Sequence, residues 1–464
     1  MQLRWDDLGT GRADAAHDTT IELAGFAATP LPVGYATHCL LVPEAACCAG
    51  CVPRDPLGAV EVFAAAPLPV DGRPVRLTGT WRRRTDDANP WRYQLHDARL
   101  TEPAGWSAVG RRFVLRGAPL MCLAAVAAPQ QAAVAQQRDA DARQAIGRVA
   151  TVDMHSHAGH ITRVRDGTSR LGPVAAPMTA GGMAAVCFAI VSDSPCHHLV
   201  GGQIHPYRSP DPGELYAWSQ RGFRRLHALI GLERLAVIAN AASLSAARGG
   251  TPSAIVAAEG GDFLEGRPER VDEAYERWQL RHLQLTHYRV NELGDIQTES
   301  PEHGGLTDVG AEVIRRCNRL GVVVDVAHGT FDLVKRAASV TTKPLILSHT
   351  SMTPWPRPRS RLITPDHARL IAGTGGVVGV WPVQSIYADL NAMAYGMARL
   401  ADVVGVDHVG LGTDMLGLVG PSSFSSYRQL PELAAALLGV GFGADDVGKV
   451  LGGNYGRVFA ATMS

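Results

Sequence analysis

Cysteine is scarce. Eight cysteines in 464 residues is far below the density of a disulfide-stapled scaffold, so disulfides are not expected to hold the fold. Charge of one sign is missing too, since 44 basic residues face 44 acidic ones, which excludes the basic surface of a nucleic-acid binder. The amino terminus, Met1-Gln2-Leu3-Arg4-Trp5-Asp6-Asp7, lacks the basic-then-apolar order of a secretory signal. No internal repeat is visible. What remains is the 46% apolar fraction of an ordinary globular protein, in a chain long enough for two or three domains or for one large barrel with an appendage.

Residues up to about Leu100 read as β-rich. Val60 to Phe63, Pro74 to Trp81 and Arg92 to Leu95 gather strand formers between Pro, Gly and Asp turns, and a small barrel of the OB kind over residues 1–105 fits them. Cys47, Cys48 and Cys51 contain one CxxC pair, but a structural zinc site needs four ligands, and packed or redox-labile thiols are the plainer reading. Residues 106–145, rich in Ala, Gln and Arg, join two domains. Within them Gly110-Arg111-Arg112-Phe113 precedes the apolar run Pro119 to Ala128, so the segment 110–136 resembles a twin-arginine export signal. That run is shorter than the roughly 20 residues a spanning helix needs. A linker helix, an export signal left internal and a weak membrane anchor are the three readings, and cytoplasmic, exported and membrane-associated locations all stay open with them.

From Arg148 onward short apolar strands alternate with longer helical segments, the pattern of a parallel sheet. Eight strands can be marked: Ala150 to His155, Ala184 to Val191, Ser253 to Glu259, His282 to His287, Val322 to His328, Lys343 to His349, Gly376 to Trp381 and His408 to Asp414. Helices are expected within Pro212 to Ala247, Gly310 to Leu320, Thr330 to Ser339, Ile386 to Val404 and Leu430 to Leu438. The fold class is therefore α/β, a (β/α)8 TIM-type barrel over residues 146–464 preceded by the small β-rich domain.

Polar residues then fall where barrel enzymes keep their chemistry. His155 with His157, Glu259, His287, His328, His349 and Asp414 all lie at or just past the carboxyl end of an expected strand, the rim that carries active sites in this fold. In Asp153-Met154-His155-Ser156-His157 the two imidazoles stand two residues apart, so on a strand they share a face and can hold one ion together. Glu259 precedes Gly260-Gly261, where missing side chains let the backbone approach a ligand. A structural histidine pair and a surface glutamate at a turn are the bland alternatives, and each weakens as the rim residues accumulate.

With Val152-Asp153-Met154-His155, Ala258-Glu259-Gly260-Gly261, Leu285-Thr286-His287, Asp325-Val326-Ala327-His328, Leu347-Ser348-His349-Thr350, His408 to Asp414 and Gly452 to Arg457 in order, the chain from about Ala150 resembles the membrane (renal) dipeptidase family of zinc peptidases. The resemblance implies a two-zinc site: His155 and His157 for one ion, Glu259 bridging, His328 and His349 for the other. It implies hydrolysis of a dipeptide by a metal-bound hydroxide, with His287 stabilising the oxyanion and Asp414 carrying the proton to the departing amine. An arginine after the last metal histidine would bind the substrate carboxylate, with Arg361 the nearest match and Arg359 the alternative.

Two departures bear on this. The family usually has aspartate where this chain has His157, which removes one negative charge and leaves one zinc rather than two as an alternative. The loop from His349 to the arginines is proline-rich and aligns only with a gap. His160, His197, His198, His205 and His303 are read as loop residues, either solvated or supporting the site from behind its ligands, Cys187 as a buried small hydrophobe, and the Trp355-Pro356 and Trp381-Pro382 pairs as pocket walls or packing. The leading expectation is a zinc dipeptidase; a metal-dependent hydrolase of another amide or lactone and a non-catalytic barrel in a binding or assembly protein are the alternatives. A homodimer is compatible with each.

Overall fold

The structure, a computed structural model, describes residues 3–8, 11–28, 35–43, 59–70, 74–83, 92–101, 137–138, 140–162, 170–353 and 359–464. Cys47, Cys48, Cys51, the segment 110–136 and Trp355-Pro356 lie outside the described residues. The chain divides into two compact units, Met1–Gln131 and Ala132–Ser464. The described cysteines, Cys39, Cys187, Cys196 and Cys317, are free and buried, and among the described residues no helix is long and apolar enough to cross a membrane.

In the first unit five strands, β1 (Thr20–Ala28), β2 (Tyr35–Val42), β3 (Val60–Pro69), β4 (Pro74–Arg83) and β5 (Tyr93–Leu100), close into a barrel in the order β1-β2-β3-β5-β4. The β3–β5 pair is parallel and the others are antiparallel. Alternation puts Ile21, Leu23, Val62, Leu77 and Leu95 inside, and closure leaves no open edge for another chain to pair with. Trp81 stacks on Tyr93 with ring centroids 5.0 Å apart. Their polar tips find partners in the short helix Gly11–Ala15 and its flank, Trp81 Nε1 donating to the Ala13 carbonyl at 2.8 Å and the Tyr93 hydroxyl to Asp14 at 2.7 Å.

The second unit contains all eight strands expected from the sequence. They are β6 (Val152–Ser156), β7 (Ala185–Val191), β11 (Ser253–Glu259), β12 (Leu280–Gln284), β13 (Val323–Asp325), β14 (Ile346–Thr350), β15 (Val377–Val380) and β16 (Val409–Leu411), each parallel to its neighbour in that order. The remaining strands are a hairpin, β8 (His197–Val200) with β9 (Gln203–Pro206), and the two-residue β10 (Ala236–Val237) beside β11. The barrel is nearly closed: β16 returns to β6 through Asp414 N–H on the His155 carbonyl and His157 N–H on the Met415 carbonyl, both 2.9 Å. Asp153 reinforces this seam, accepting from the Thr413 amide at 2.8 Å, its hydroxyl at 2.6 Å and the Tyr427 hydroxyl at 2.9 Å.

Helices return the chain between strands, and the sequence marks where they begin. Thr307, Thr330, Thr364 and Asp389 each cap a helix by accepting from the amide three residues on, satisfying a donor the helix itself cannot. The helices Asp308–Leu320, Phe331–Val340, Pro365–Gly373 and Leu390–Val404 then lay their apolar faces on the barrel. Ala142, Ala145 and Ile146 belong to the same core, so the helical residues 140–147 pack within the second unit.

Removing the Leu283 side chain, fully buried in this core, is expected to cost about 2–5 kcal/mol. Thr330→Ala should cost about 1 kcal/mol by loss of its cap. Urea titration of the two variants checks both the sign and the order, and a cap variant as damaging as the core variant would contradict the packing described.

Candidate metal centre

The carboxyl ends of the strands converge on one buried carboxylate. Glu259, last residue of β11, is buried, with Oε1 3.4 Å from His155 Nε2, 3.3 Å from His328 Nε2 and 3.6 Å from His349 Nε2. Its Oε2 lies 3.1 Å from His157 Nε2 and 3.3 Å from His287 Nε2. Asp414 Oδ1 stands 3.3 Å from His157 Nε2. Seven residues named from the sequence therefore meet in one place, although their positions in the chain run from 155 to 414.

The hydrogen bonds behind the rings decide which way the rings can act. His157 Nδ1 is 2.8 Å from the Ala189 carbonyl, and since a carbonyl only accepts, the proton sits on Nδ1. A neutral His157 thus aims the lone pair of Nε2 at Glu259 and Asp414. Ring nitrogens also face each other, His155 Nε2 and His157 Nε2 at 3.3 Å and His328 Nε2 and His349 Nε2 at 3.2 Å. Lone pairs converging on carboxylate oxygens repel unless a cation lies between them. The donor set, imidazole nitrogens with a shared carboxylate, is the one a zinc-like ion takes, so the residues fit a metal.

Protonation follows the same division. Burial alone would lower His157, but its bonds to Asp414 and Glu259 and their charges push it up to about 10. Without a metal, the imidazolium of His157 supplies the positive charge itself. His328 and His349 are held well below the usual imidazole range by burial, by neighbouring histidines and by the charge of Arg361, so they stay neutral. Burial would raise Glu259, and the positive charge of His287 and His155 with the histidine hydrogen bonds holds it well below the ordinary carboxylate range.

Two carboxylates behave differently. Asp153 of the DxHxH stretch is wholly buried, and desolvation outweighs its hydrogen bonds, raising it to about 6. It anchors β6 to β16 and touches none of the converging nitrogens of the centre through the bonds described. Asp193, just past β7, was not singled out in the sequence, yet Oδ1 accepts from His287 Nδ1 at 2.7 Å and Oδ2 from the Tyr288 amide at 3.0 Å. The available signal was its place on the rim, where the other site residues were found. His197, read as a solvated or supporting loop residue, has Nε2 3.5 Å from the same carboxylate, and with His198 it lines the mouth.

The two arginines separate. Arg359 is exposed, its guanidinium 3.3 Å from the Ser300 hydroxyl. Arg361 is buried, donating to Gln297 Oε1 at 2.8 Å and to the His349 carbonyl at 3.3 Å, and lies over the Trp381 ring at 5.3 Å. Neither lines the cavity above the cluster, whose volume is about 860 Å³ and whose floor is His157, Glu259, His287, His328 and Asp414. Backbone strain gathers at the same floor: His328 and Asp414 have φ of 68° and 48°, a left-handed conformation that non-glycine residues keep where the surrounding structure enforces it. A β-carbon on Gly417 would collide with the Asp414 carboxylate and the His157 ring.

Comparison with known proteins gives this geometry a place. The family described as membrane dipeptidase (peptidase family M19) matches residues 220–464. This chain belongs to the membrane dipeptidase family. The matched span holds Glu259, His287, His328, His349 and Asp414, while His155 and His157 precede it. Dipeptidase aclJ of Aspergillus oryzae is 32% identical over 197 residues, 40% of this chain and 46% of its own length. Dipeptidase verJ of Clonostachys rogersoniana is 28% identical over 221 residues, 46% and 55% of the two lengths. The chain thus spans about half the length of these curated relatives. Among solved structures, the probable dipeptidase PvdM from Pseudomonas aeruginosa superposes with a TM-score of 0.59 at 16% identity, covering 71% of this chain and 99% of that one. A Rhodobacter sphaeroides metallopeptidase liganded with a phosphinate mimic of L-Ala-D-Ala gives 0.55 at 21% identity, covering 68% and 99%. Both show this chain to have their fold.

Replacing Glu259 by Gln removes the charge on which the imidazoles converge. Metal per chain, measured by elemental analysis after dialysis against zinc, is expected to fall about 10-fold or more at limiting metal. Unchanged content in E259Q would remove Glu259 from the centre.

Proposed function

We propose that this protein is a metal-dependent dipeptidase whose centre holds two zinc ions. The observation that carries the reading is the convergence of imidazole nitrogens, at or just past the carboxyl ends of β6, β12, β13 and β14, on the single carboxylate of Glu259. His155 and His157 would hold one ion, His328 and His349 the other, with Glu259 shared. Zinc at these residues would supply a Lewis acid and a water acidic enough to lose its proton near neutral pH.

The chain's own groups complete the chemistry. His287, oriented by Asp193 through Nδ1, presents Nε2 to the cavity and donates to the substrate carbonyl oxygen as negative charge develops there. Asp414 accepts the proton of the attacking water and returns it to the departing amine. Of the two arginines expected at the substrate carboxylate, Arg361 supports that role better, because its charge acts on Tyr288, Glu259 and Asp414 at the floor of the cavity. A second reading, hydrolysis of another amide or a lactone, is favoured by His157 standing where the family usually has aspartate, which leaves the site with one negative charge fewer.

The first unit we read as a barrel of the OB kind. Its closed β1-β2-β3-β5-β4 order with β3 and β5 parallel supports this. The joining segment after residue 105 would then give way to the hydrolase barrel at the helix that carries Ala142 and Ala145.

Asp414→Asn is expected to keep zinc bound and to lower kcat on a dipeptide panel by about 10²–10⁴-fold. Steady-state kinetics with parallel metal analysis tests this. Full activity in D414N would remove Asp414 from the reaction, and turnover confined to lactones would reject the dipeptidase reading.

A further inference from the structure

The metal-binding residues form only the floor of the cavity. Its walls come from the β8–β9 hairpin and from the loop that follows β16, beyond the residues that close the barrel. Leu199 pairs across the hairpin with Ile204, and both line the cavity. Leu416 and Val419 line it from the β16 loop, and Trp218 from the helix Glu214–Glu233.

Beside His197 and His198, much of this wall is apolar and open to solvent. Eight large hydrophobic side chains are exposed among the described residues, and four of them line this one cavity: Leu199 at 61%, Tyr207 at 52%, Leu416 at 48% and Val419 at 46%. Apolar surface left uncovered beside a polar floor marks a binding surface. The φ of Leu416 is 65°. A leucine is disfavoured in that region, and the turn that Gly417 and Leu418 close on the Asp414 carbonyl holds it there with its side chain in solvent.

The hairpin is braced rather than loose. Tyr207 N–H donates to the Cys196 carbonyl at 2.9 Å and its hydroxyl to the Pro195 carbonyl at 3.0 Å. His198 stacks on Tyr207 with centroids 4.8 Å apart, and His205 Nδ1 lies 3.0 Å from Glu299. Trp218 is fixed by donation from Nε1 to the Val191 carbonyl at 3.0 Å. A wall held in place before the ligand arrives selects it without an ordering cost. The cavity, about 860 Å³, falls in the upper part of the roughly 300–1,000 Å³ range of sites for drug-sized ligands, so a dipeptide of small residues would leave much of it to water.

We propose that the preferred substrate carries a large apolar side chain, aromatic or branched aliphatic, next to the scissile amide, and that Leu199, Ile204, Leu416 and Val419 select it. The occupant is the substrate itself, because these side chains line the same concave space as Glu259 and Asp414. This inference rests on the dipeptidase reading for its reaction, but the apolar selection can be measured without turnover.

Zinc-loaded protein is assayed with Ala-Ala, Leu-Ala, Phe-Ala and Ala-Phe, and its binding to the reduced-bond analogues of Ala-Ala, Phe-Ala and Ala-Phe is measured by calorimetry. The better aromatic analogue is expected to bind about 10-fold or more tighter than the Ala-Ala analogue, with a matching ratio in kcat/KM. In the double variant L199N/L416N both ratios should collapse to within about 3-fold of unity, with zinc content retained as the sign of an intact barrel. Leu232→Asn, an exposed leucine that lies outside the cavity lining, should leave both ratios as they are. Equal binding of the analogues, or a ratio that survives in the double variant, overturns the inference even where dipeptides are cleaved. A ratio that collapses in the double variant while no dipeptide is cleaved upholds the inference and rejects the dipeptidase reading.

Discussion

A buried carboxylate ringed by imidazoles is an electrostatic problem that fixes the rest of the molecule. Glu259 is removed from water, and the His157 nitrogen facing it carries a lone pair in the neutral ring. Such an arrangement is stable only if positive charge sits within it, either a proton on His157 or a metal ion. The barrel keeps these donors from relaxing away from each other. They come from the ends of several strands, His155 and His157 together from that of β6, and the strands are locked by parallel ladders whose side chains are buried on both faces.

The seam between β16 and β6 shows how local chemistry serves that purpose. It is where the sheet must close, and Asp414, His155 and His157 all depend on it for their placement. Asp153 gathers its hydrogen bonds from Thr413, Tyr427 and the His155 amide, so a residue of the DxHxH stretch holds the barrel together instead of holding an ion. Gly417 continues the theme, because only a glycine lets the chain pass so close to the Asp414 carboxylate and the His157 ring.

Much of this could be read from the sequence, and for a physical reason. Strands buried on both faces are short unbroken apolar runs, so a polar residue at the end of one is conspicuous, and His155, Glu259, His328 and His349 were visible in that way. One helix start was legible at Thr330, whereas the helix Pro365–Gly373, capped by Thr364, was not marked. Asp193 escaped because it follows β7 by two residues, and its meaning lies in a bond to His287 that no spacing announces. His197 and His198 looked like loop residues since the β8–β9 hairpin has no apolar alternation of its own. The environments of Arg359 and Arg361 depend on how one proline-rich loop folds, and neighbouring positions there end in solvent and in the interior respectively.

On the function proposed, Glu259 would lie between two zinc ions held by histidines from opposite parts of the chain. Anomalous diffraction at the zinc absorption edge from crystals of zinc-loaded protein measures this directly. The account predicts two peaks, each within coordination distance of a Glu259 oxygen, one beside His155 and His157 and the other beside His328 and His349. Zinc bound elsewhere, with no peak in contact with Glu259, would contradict it.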